Sequence, residues 1–276
     1  MNLQIIYILI QFLIFYSPDE NLNQSTYLFQ PEKEFLQDRF NTPNGFERIN
    51  VDENSFAAWL RQLPLKPEGS KVKYYDGSIK EKPGVYLAVM DLPIGTKNLH
   101  QCADAVIRLR AEYLYDQKRY DEIRFHFTNG FLAEYSKWMA GYRIKVSGNE
   151  VSWVKSVEPS NTPDTFWKYL ETVFTYAGTL SLEKELKAVP INEMQIGDVF
   201  IQGGSPGHAV IVVDMAQNPT NGKKVFMLAQ SYMPAQEIQI LQNQMNGSLS
   251  PWYNMEFGNF LETPEWTFEN SNLKRF

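Results

Sequence analysis

The chain has one cysteine, three histidines and no long run of lysine or arginine among its 276 residues. A single cysteine excludes an intramolecular disulfide, and it cannot be half of a CxxC metal or redox motif. Three histidines (His100, His126 and His208) without an HExxH pattern give no basis for a histidine-rich metal site, and no metal is expected, with a His/carboxylate site as the alternative. A net charge of -6 with no basic cluster argues against nucleic acid or an anionic membrane surface as the main partner. Residues 1–16 lack any charged side chain and are dominated by Leu, Ile, Phe and Tyr. That stretch is shorter than the ~20 apolar residues a spanning helix needs, so residues 1–17 read as a secretory signal peptide, with a retained N-terminal anchor as the alternative. Membrane contact is expected only through that segment, if it is retained. The protein is expected to be exported, to a periplasm or cell envelope. No later apolar run is long enough to span.

What is present is globular. A hydrophobic share of 43% against 21% charged residues excludes wholesale disorder. Residues 18–45 are polar, rich in Asn, Gln, Asp and Pro, and read as a linker. From 46 to 276 there is no internal repeat and no low-complexity break, so a single α+β domain is expected. Helical periodicity is expected at 55–62, after Asn98, at 166–176 and at 178–186. Strand patterns are expected at 71–75, 85–90, 123–127, 142–146, 151–154, 198–202, 208–214, 224–230 and 237–241, with the stretch from Gly247 onward irregular. Helices of the first half would thus pack on a mostly antiparallel sheet from the second half.

The clearest helix follows Asn98, with Gln101 suiting a capping box and Ala105, Leu109 and Tyr113 forming an apolar face with Val106 and Leu114. Cys102 falls in its first turn. Free backbone N–H groups and the helix dipole favour a thiolate there, and a thiolate is the nucleophile. A small buried hydrophobe is the alternative role for a lone cysteine. His208 follows the turn Gly203-Gly204-Ser205-Pro206-Gly207 and opens the apolar strand Ala209-Val210-Ile211-Val212-Val213. That places an imidazole at a sheet rim, where a helix N-terminus can meet it. If 208–214 and 224–230 pair as a hairpin with Asp214 opposite Lys224, His208 faces Gln230, and cross-strand partners lie ~5 Å apart at Cβ. Gln230 would then orient the ring. Asp214 is too far along the strand to do so.

These pieces resemble papain-like, NlpC-type cysteine amidases and peptidases. The resemblance rests on a cysteine opening a helix, the Gly197-Asp198-Val199-Phe200 turn, Gly-His at the head of an apolar strand, and a polar residue on the next strand. It covers about 98–113 and 197–230. Gln101-Cys102-Ala103-Asp104 stands where an Asp-Cys-Ser-Gly context is common, and the long Cys-to-His separation implies an inserted strand–helix region. The whole chain also resembles an uncharacterised family of exported bacterial proteins, through runs such as Leu63-Pro64-Leu65-Lys66-Pro67, Gln101-Cys102-Ala103-Asp104-Ala105 and Ala229-Gln230-Ser231-Tyr232-Met233-Pro234-Ala235-Gln236.

The resemblance implies a cysteine hydrolase or acyltransferase acting on an amide of a cell-wall peptide or glycan. Cys102 would be the nucleophile, His208 the base and acid, and Gln230 the ring holder, with no cofactor. Gln101, Tyr75, Trp252 and Tyr253 are candidate substrate contacts, with core or surface-loop packing the alternative for the aromatic ones. Two other readings stand beside this: a non-catalytic module binding peptidoglycan or glycan on the same fold, and an envelope scaffold protein.

Overall fold

The computed structural model describes residues 29–276, and packed structure is already present well before residue 46. The expected export segment and residues 18–28 lie outside the described residues. The linker reading is corrected for the remainder. The short helix α1 (Leu36–Arg39) buries Leu36 and, just beyond it, Phe40 in the main core beside Leu60 and Leu63. Leu36 N–H donates to the Leu63 carbonyl at 3.1 Å. Two large apolar side chains outweigh the polar composition around them, because fully burying each one contributes ~1.5–3 kcal/mol.

β1 (Glu47–Arg48) and α2 (Phe56–Arg61) come next. The Ser55 hydroxyl caps α2 by accepting from the Ala58 N–H at 3.1 Å. The expected strand at 71–75 is reduced to single bridges, Lys73 with Ile79 and Tyr74 with Gln236, around an Asp76-Gly77 turn, where Gly77 has a φ of +83. β2 (Tyr86–Val89) leads to α3 (Cys102–Asp116), whose inward face carries Ala105, Val106, Leu109, Tyr113 and Leu114 as the periodicity predicts. Between α3 and the later strands lie β3 (Arg124–His126), β4 (Leu132–Glu134), α4 (Tyr135–Met139), the hairpin of β5 (Tyr142–Ser147) and β6 (Glu150–Lys155), α5 (Pro163–Tyr176), α6 (Thr179–Glu185) and β7 (Lys187–Ala188).

The remaining strands are β8 (Val199–Gln202), β9 (His208–Gln217), β10 (Lys224–Gln230), β11 (Gln239–Leu241), β12 (Tyr253–Asn254), β13 (Phe260–Glu262), β14 (Thr267–Glu269) and β15 (Leu273–Arg275). The region after Gly247 is therefore not irregular throughout. Its strands are short and aromatic, which leaves too few residues for alternation to stand out. One nine-stranded antiparallel sheet runs β2-β11-β10-β9-β8-β15-β7, with β1 beside β9 and β12 beside β10. The α+β class is as expected, with few helices against a large antiparallel sheet.

β9 is its spine. Positions 208–216 are all buried, which requires cover on both faces; α2 and α3 pack against this strand. Asp214, fully buried, accepts from Arg61 Nε at 2.6 Å, Arg48 Nε at 2.7 Å and the Met215 N–H at 2.8 Å. It thereby ties α2 and β1 to the spine. Asp198, in the Gly-Asp turn, accepts from the Gln195 N–H at 2.7 Å and from Arg275 of β15 at 2.6 Å, so one carboxylate fixes the turn and anchors the C-terminal strand. Among the described residues no helix is long and apolar enough to cross a membrane.

Candidate active site

Gln101, not Asn98, is the N-cap of α3, and Cys102 is its first helical residue. The Gln101 N–H donates to Asp104 Oδ2 at 3.0 Å, closing the first turn. Asn98 serves a different contact. Its side-chain oxygen accepts from the Ala235 N–H at 2.8 Å, joining the segment before the helix to the loop after β10.

At the other side, β8 and the head of β9 pair with Gln202 opposite His208. Gly207 delivers the histidine. A Cβ on Gly207 would lie 2.5 Å from Thr179 Oγ1, 2.7 Å from the Gly204 carbonyl oxygen and 2.8 Å from that of Gln202. Two of these three are backbone atoms that cannot swing away. Gly207→Ala is therefore expected to lower stability by about 1–3 kcal/mol, as overpacking does, and to displace His208. A thermal melt unchanged within error would contradict this packing.

The His208–Gln230 contact is present, by a register other than the one expected. β10 pairs Lys224 with Gln217 and Met227 with Asp214; the ladder then slips at a bulge and resumes with Leu228 opposite Val212 and Ala229 opposite Ile211. Carrying that register one residue further sets Gln230 against Val210, two places along from His208 and on the same face. Without the bulge, Gln230 would face Ile211 and point away, since a one-residue slip reverses every side chain. The contact is a diagonal one, with His208 Nε2 and Gln230 Oε1 at 2.7 Å.

Gln230 is itself fixed. Its Nε2 donates to Glu265 Oε2 at 2.7 Å, and the same oxygen accepts from Lys80 Nζ at 2.6 Å, while Lys82 Nζ reaches Glu265 Oε1 at 3.2 Å. Burial alone would raise the Glu265 carboxyl, but Lys80 and Lys82 outweigh it and hold the group below the usual range. A carboxylate only accepts, so the Gln230 amide must turn its nitrogen to Glu265 and its oxygen to His208. The imidazole therefore carries its proton on Nε2, and Nδ1 is left as the basic nitrogen. The rings of Tyr232, Trp266 and Phe268 surround His208 at 4.7, 5.5 and 5.9 Å.

The thiol lies close enough to this group to sense its backbone. Among the amides favouring its ionised form is that of Ala209, one residue past His208, together with those of Ala103 and Cys102 itself. Tyr232, packed near His208, also lies close enough for its phenol to sense the Cys102 charge. The expected lowering of the thiol pKa is nonetheless reversed. Burial, reinforced by Asp104, pushes Cys102 up to about 11, and burial pushes His208 down to about 4 despite the opposing pull of Gln230 and Glu265. The helix terminus is there, but desolvation of a 7% exposed thiol is the larger effect. At neutral pH the pair rests as neutral thiol and neutral imidazole.

An open cleft of about 420 Å³ lies over Cys102, bordered by Asn98, Gln101 and Asp104 on one side and by Thr179, Gly204 and Gly207 on another. Of the expected substrate contacts, Gln101 lines it. Tyr75 does not; it is half-buried and bonded through its N–H to the Ala235 carbonyl at 2.9 Å. Trp252 and Tyr253 are corrected to core residues. Trp252 is fully buried with its indole N–H on the Asn41 carbonyl at 2.9 Å, and Tyr253, 3% exposed, bonds the Gln242 carbonyl at 2.7 Å. His100 is buried against Phe174 with Nδ1 3.2 Å from the Gln236 carbonyl oxygen. His126 is exposed beside Glu185. Among the described residues no group of three or more His, Cys, Asp or Glu could hold a metal ion.

Lys80, Tyr232, Glu265 and Trp266 escaped the sequence reading. They come from loops far apart in the chain, and only the adjacency of Tyr232 to Gln230 offered a signal.

These features define an α+β protein with a cysteine at a helix N-terminus and a carboxylate-anchored Gln–His pair across two neighbouring strands of an antiparallel sheet. The chain belongs to the family described as domain of unknown function 4846, whose model matches residues 36–275. No curated protein and no solved structure matches it.

Proposed function

We propose that this protein is a cysteine hydrolase or acyltransferase acting on an amide, built on a papain-like arrangement of helix and sheet. The observation that carries the proposal is the chain Lys80–Glu265–Gln230–His208, which leaves Nδ1 as the ring's basic nitrogen. A merely structural histidine does not need its tautomer fixed by a buried ion pair. The second support is the thiol at the first position of α3, bordering a cleft and close enough to the Ala209 amide of the histidine strand for that amide to favour its ionised form.

The chemistry starts from the neutral pair. As Sγ attacks the carbonyl carbon, its proton passes to His208 Nδ1 and the carbonyl π electrons move onto oxygen. The Cys102 N–H, which has no partner within the helix, stabilises that oxyanion. Collapse breaks the C–N bond, and the amine leaves with the proton from Nδ1. Water or an acceptor amine then attacks the thioester, its proton going through Nδ1 to the departing thiolate. The product is an acid or a new amide. Export to a periplasm or envelope, with a cell-wall peptide or glycan as substrate, belongs to the same proposal and is supported by the uncharged apolar run at residues 1–16.

The test is acylation by p-nitrophenyl acetate followed by intact mass. Wild type is expected to gain one acetyl group on Cys102, and Cys102→Ala none. Equal labelling of both would refute the nucleophile. A second reading, a binding module on the same fold, is favoured by the raised thiol pKa; it predicts an unlabelled wild type.

A further inference from the structure

Leu180 and Met233 are large apolar side chains left 39% and 53% exposed, and both stand at the cleft that borders Cys102. Each forgoes the free energy of burial until something covers it. Leu99, Ala177 and Pro206 extend the same apolar wall. Exposed apolar groups gathered at a concave site beside a reactive side chain mark a ligand groove.

The wall offers an occupant no charge. Among the described residues, Cys102 and Asp104 are the only ionisable side chains along the cleft. Asp104 turns no oxygen outward, since Oδ1 is sealed and Oδ2 accepts the Gln101 N–H. Arg108, one turn on, is buried, with Nη1 sealed as well. The polar side chains Asn98, Gln101 and Thr179 are already engaged. Asn98 Oδ1 accepts from Gln101 Nε2 at 3.3 Å as well as from the Ala235 N–H, and Thr179 Oγ1 donates to the Gly204 carbonyl at 3.3 Å. An ionised group entering here would lose water and gain no counter-charge, which disfavours it.

The place of His208 decides which half of the substrate lies there. In the proposed reaction the departing amine takes its proton from Nδ1, so the amine half must reach the ring. His208 is buried and is not among the described residues that border the cleft. The half that stays on sulfur needs only Sγ and the Cys102 N–H, and Cys102 does border it. We propose that the cleft receives the acyl half of the substrate and selects an uncharged, apolar acyl group. This deepens the proposed function by naming the class of its acyl donor, and it rests on that reading for the nucleophile.

The experiment compares acylation of Cys102 in the full chain by p-nitrophenyl acetate, p-nitrophenyl hexanoate and the mono-p-nitrophenyl ester of hexanedioate. The last has the hexanoate chain length and a terminal carboxylate. In each case Sγ forms the thioester, p-nitrophenolate leaves and the thiol proton passes to His208. Each rate is divided by that of N-acetylcysteine with the same ester, which removes differences in intrinsic reactivity. Wild type is expected to take hexanoate at least about tenfold faster than acetate, because the added methylenes meet an apolar wall, and hexanedioate no faster than acetate. Leu180→Lys, at an exposed position of α6, is expected to bring the hexanoate-to-acetate ratio below about threefold and to raise hexanedioate about threefold over wild type. The proposal is overturned if wild type shows no preference for hexanoate over acetate, if hexanedioate matches hexanoate, or if Leu180→Lys keeps the wild-type ratios. Acetylation without a chain preference would leave the nucleophile standing and remove only the acyl selectivity. Failure of all the esters to label native wild type would remove the nucleophile, and the selectivity with it.

Discussion

His208→Ala is expected to slow acetylation of Cys102 by p-nitrophenyl acetate by about 10²–10⁴-fold, the usual contribution of a positioned general base. The size of the effect follows from the resting state. A thiol raised to about 11 has almost no thiolate at pH 7, so attack without a proton acceptor starts from a negligible population. His208, lowered to about 4, is fully neutral there and can take the proton at Nδ1. The buried ring also packs against Tyr232 and Phe268, so a control for folding is needed. His208→Gln keeps a side-chain N–H to offer Gln230 and should fold while sharing the kinetic loss. A His208→Ala rate within threefold of wild type, in a folded protein, would remove the base from the mechanism.

Asp214→Asn carries the largest expected effect on stability. The carboxylate is fully buried between Arg61 and Arg48, with both guanidinium groups within 2.7 Å. Neutralising it leaves the Arg61 charge, itself 7% exposed at the side chain, without its partner. Breaking a buried pair in this way costs about 3–5 kcal/mol, and in a domain of this size that lowers Tm by roughly 10 °C. The site lies at the opposite end of β9 from His208, so residual folded protein should keep its Cys102 reactivity. A shift below about 2 °C would show that Arg61 and Arg48 find other partners.

The contrast between these two positions shows what the sequence could carry. Gly-His before a run of apolar residues was enough to place a histidine at the head of a buried strand. The matching of His208 with Gln230 came from an assumed register whose paired numbers sum to an even total, which puts residues of like parity on one face. The register itself was not legible: the expected alignment omitted the bulge near Met227 and Leu228 and ended β9 at Asp214 instead of Gln217. A bulge leaves no composition signal, and here it restored the parity that the simpler alignment had assumed.

The direction of the thiol pKa was hidden for a different reason. The helix terminus is a local property, and it was read correctly. Desolvation depends on what the rest of the chain lays over the residue, and no window around Cys102 contains that. The same holds for Trp252 and Tyr253. An aromatic pair after proline suits a ligand wall or a core equally well, and only the carbonyl partners of their polar tips show which. Leu36 and Phe40 were hidden among polar neighbours, although the family match also begins at residue 36. Glu265 and Lys80 lie too far apart in the chain to be paired by any local pattern, yet they decide the orientation of Gln230.

The most direct test of the central claim is the rate of Cys102 alkylation by iodoacetamide across pH 5–11, in native wild type and in a folded His208 variant. The account predicts a plateau in wild type from pH 5 through neutral pH, supported by the neutral imidazole, followed by a rise toward pH 11 as the thiolate forms. The variant should keep only that final rise. If native wild type reacts no faster than the variant at pH 7, or reacts only after denaturation, Cys102 is a packed core residue and the nucleophile assignment is wrong.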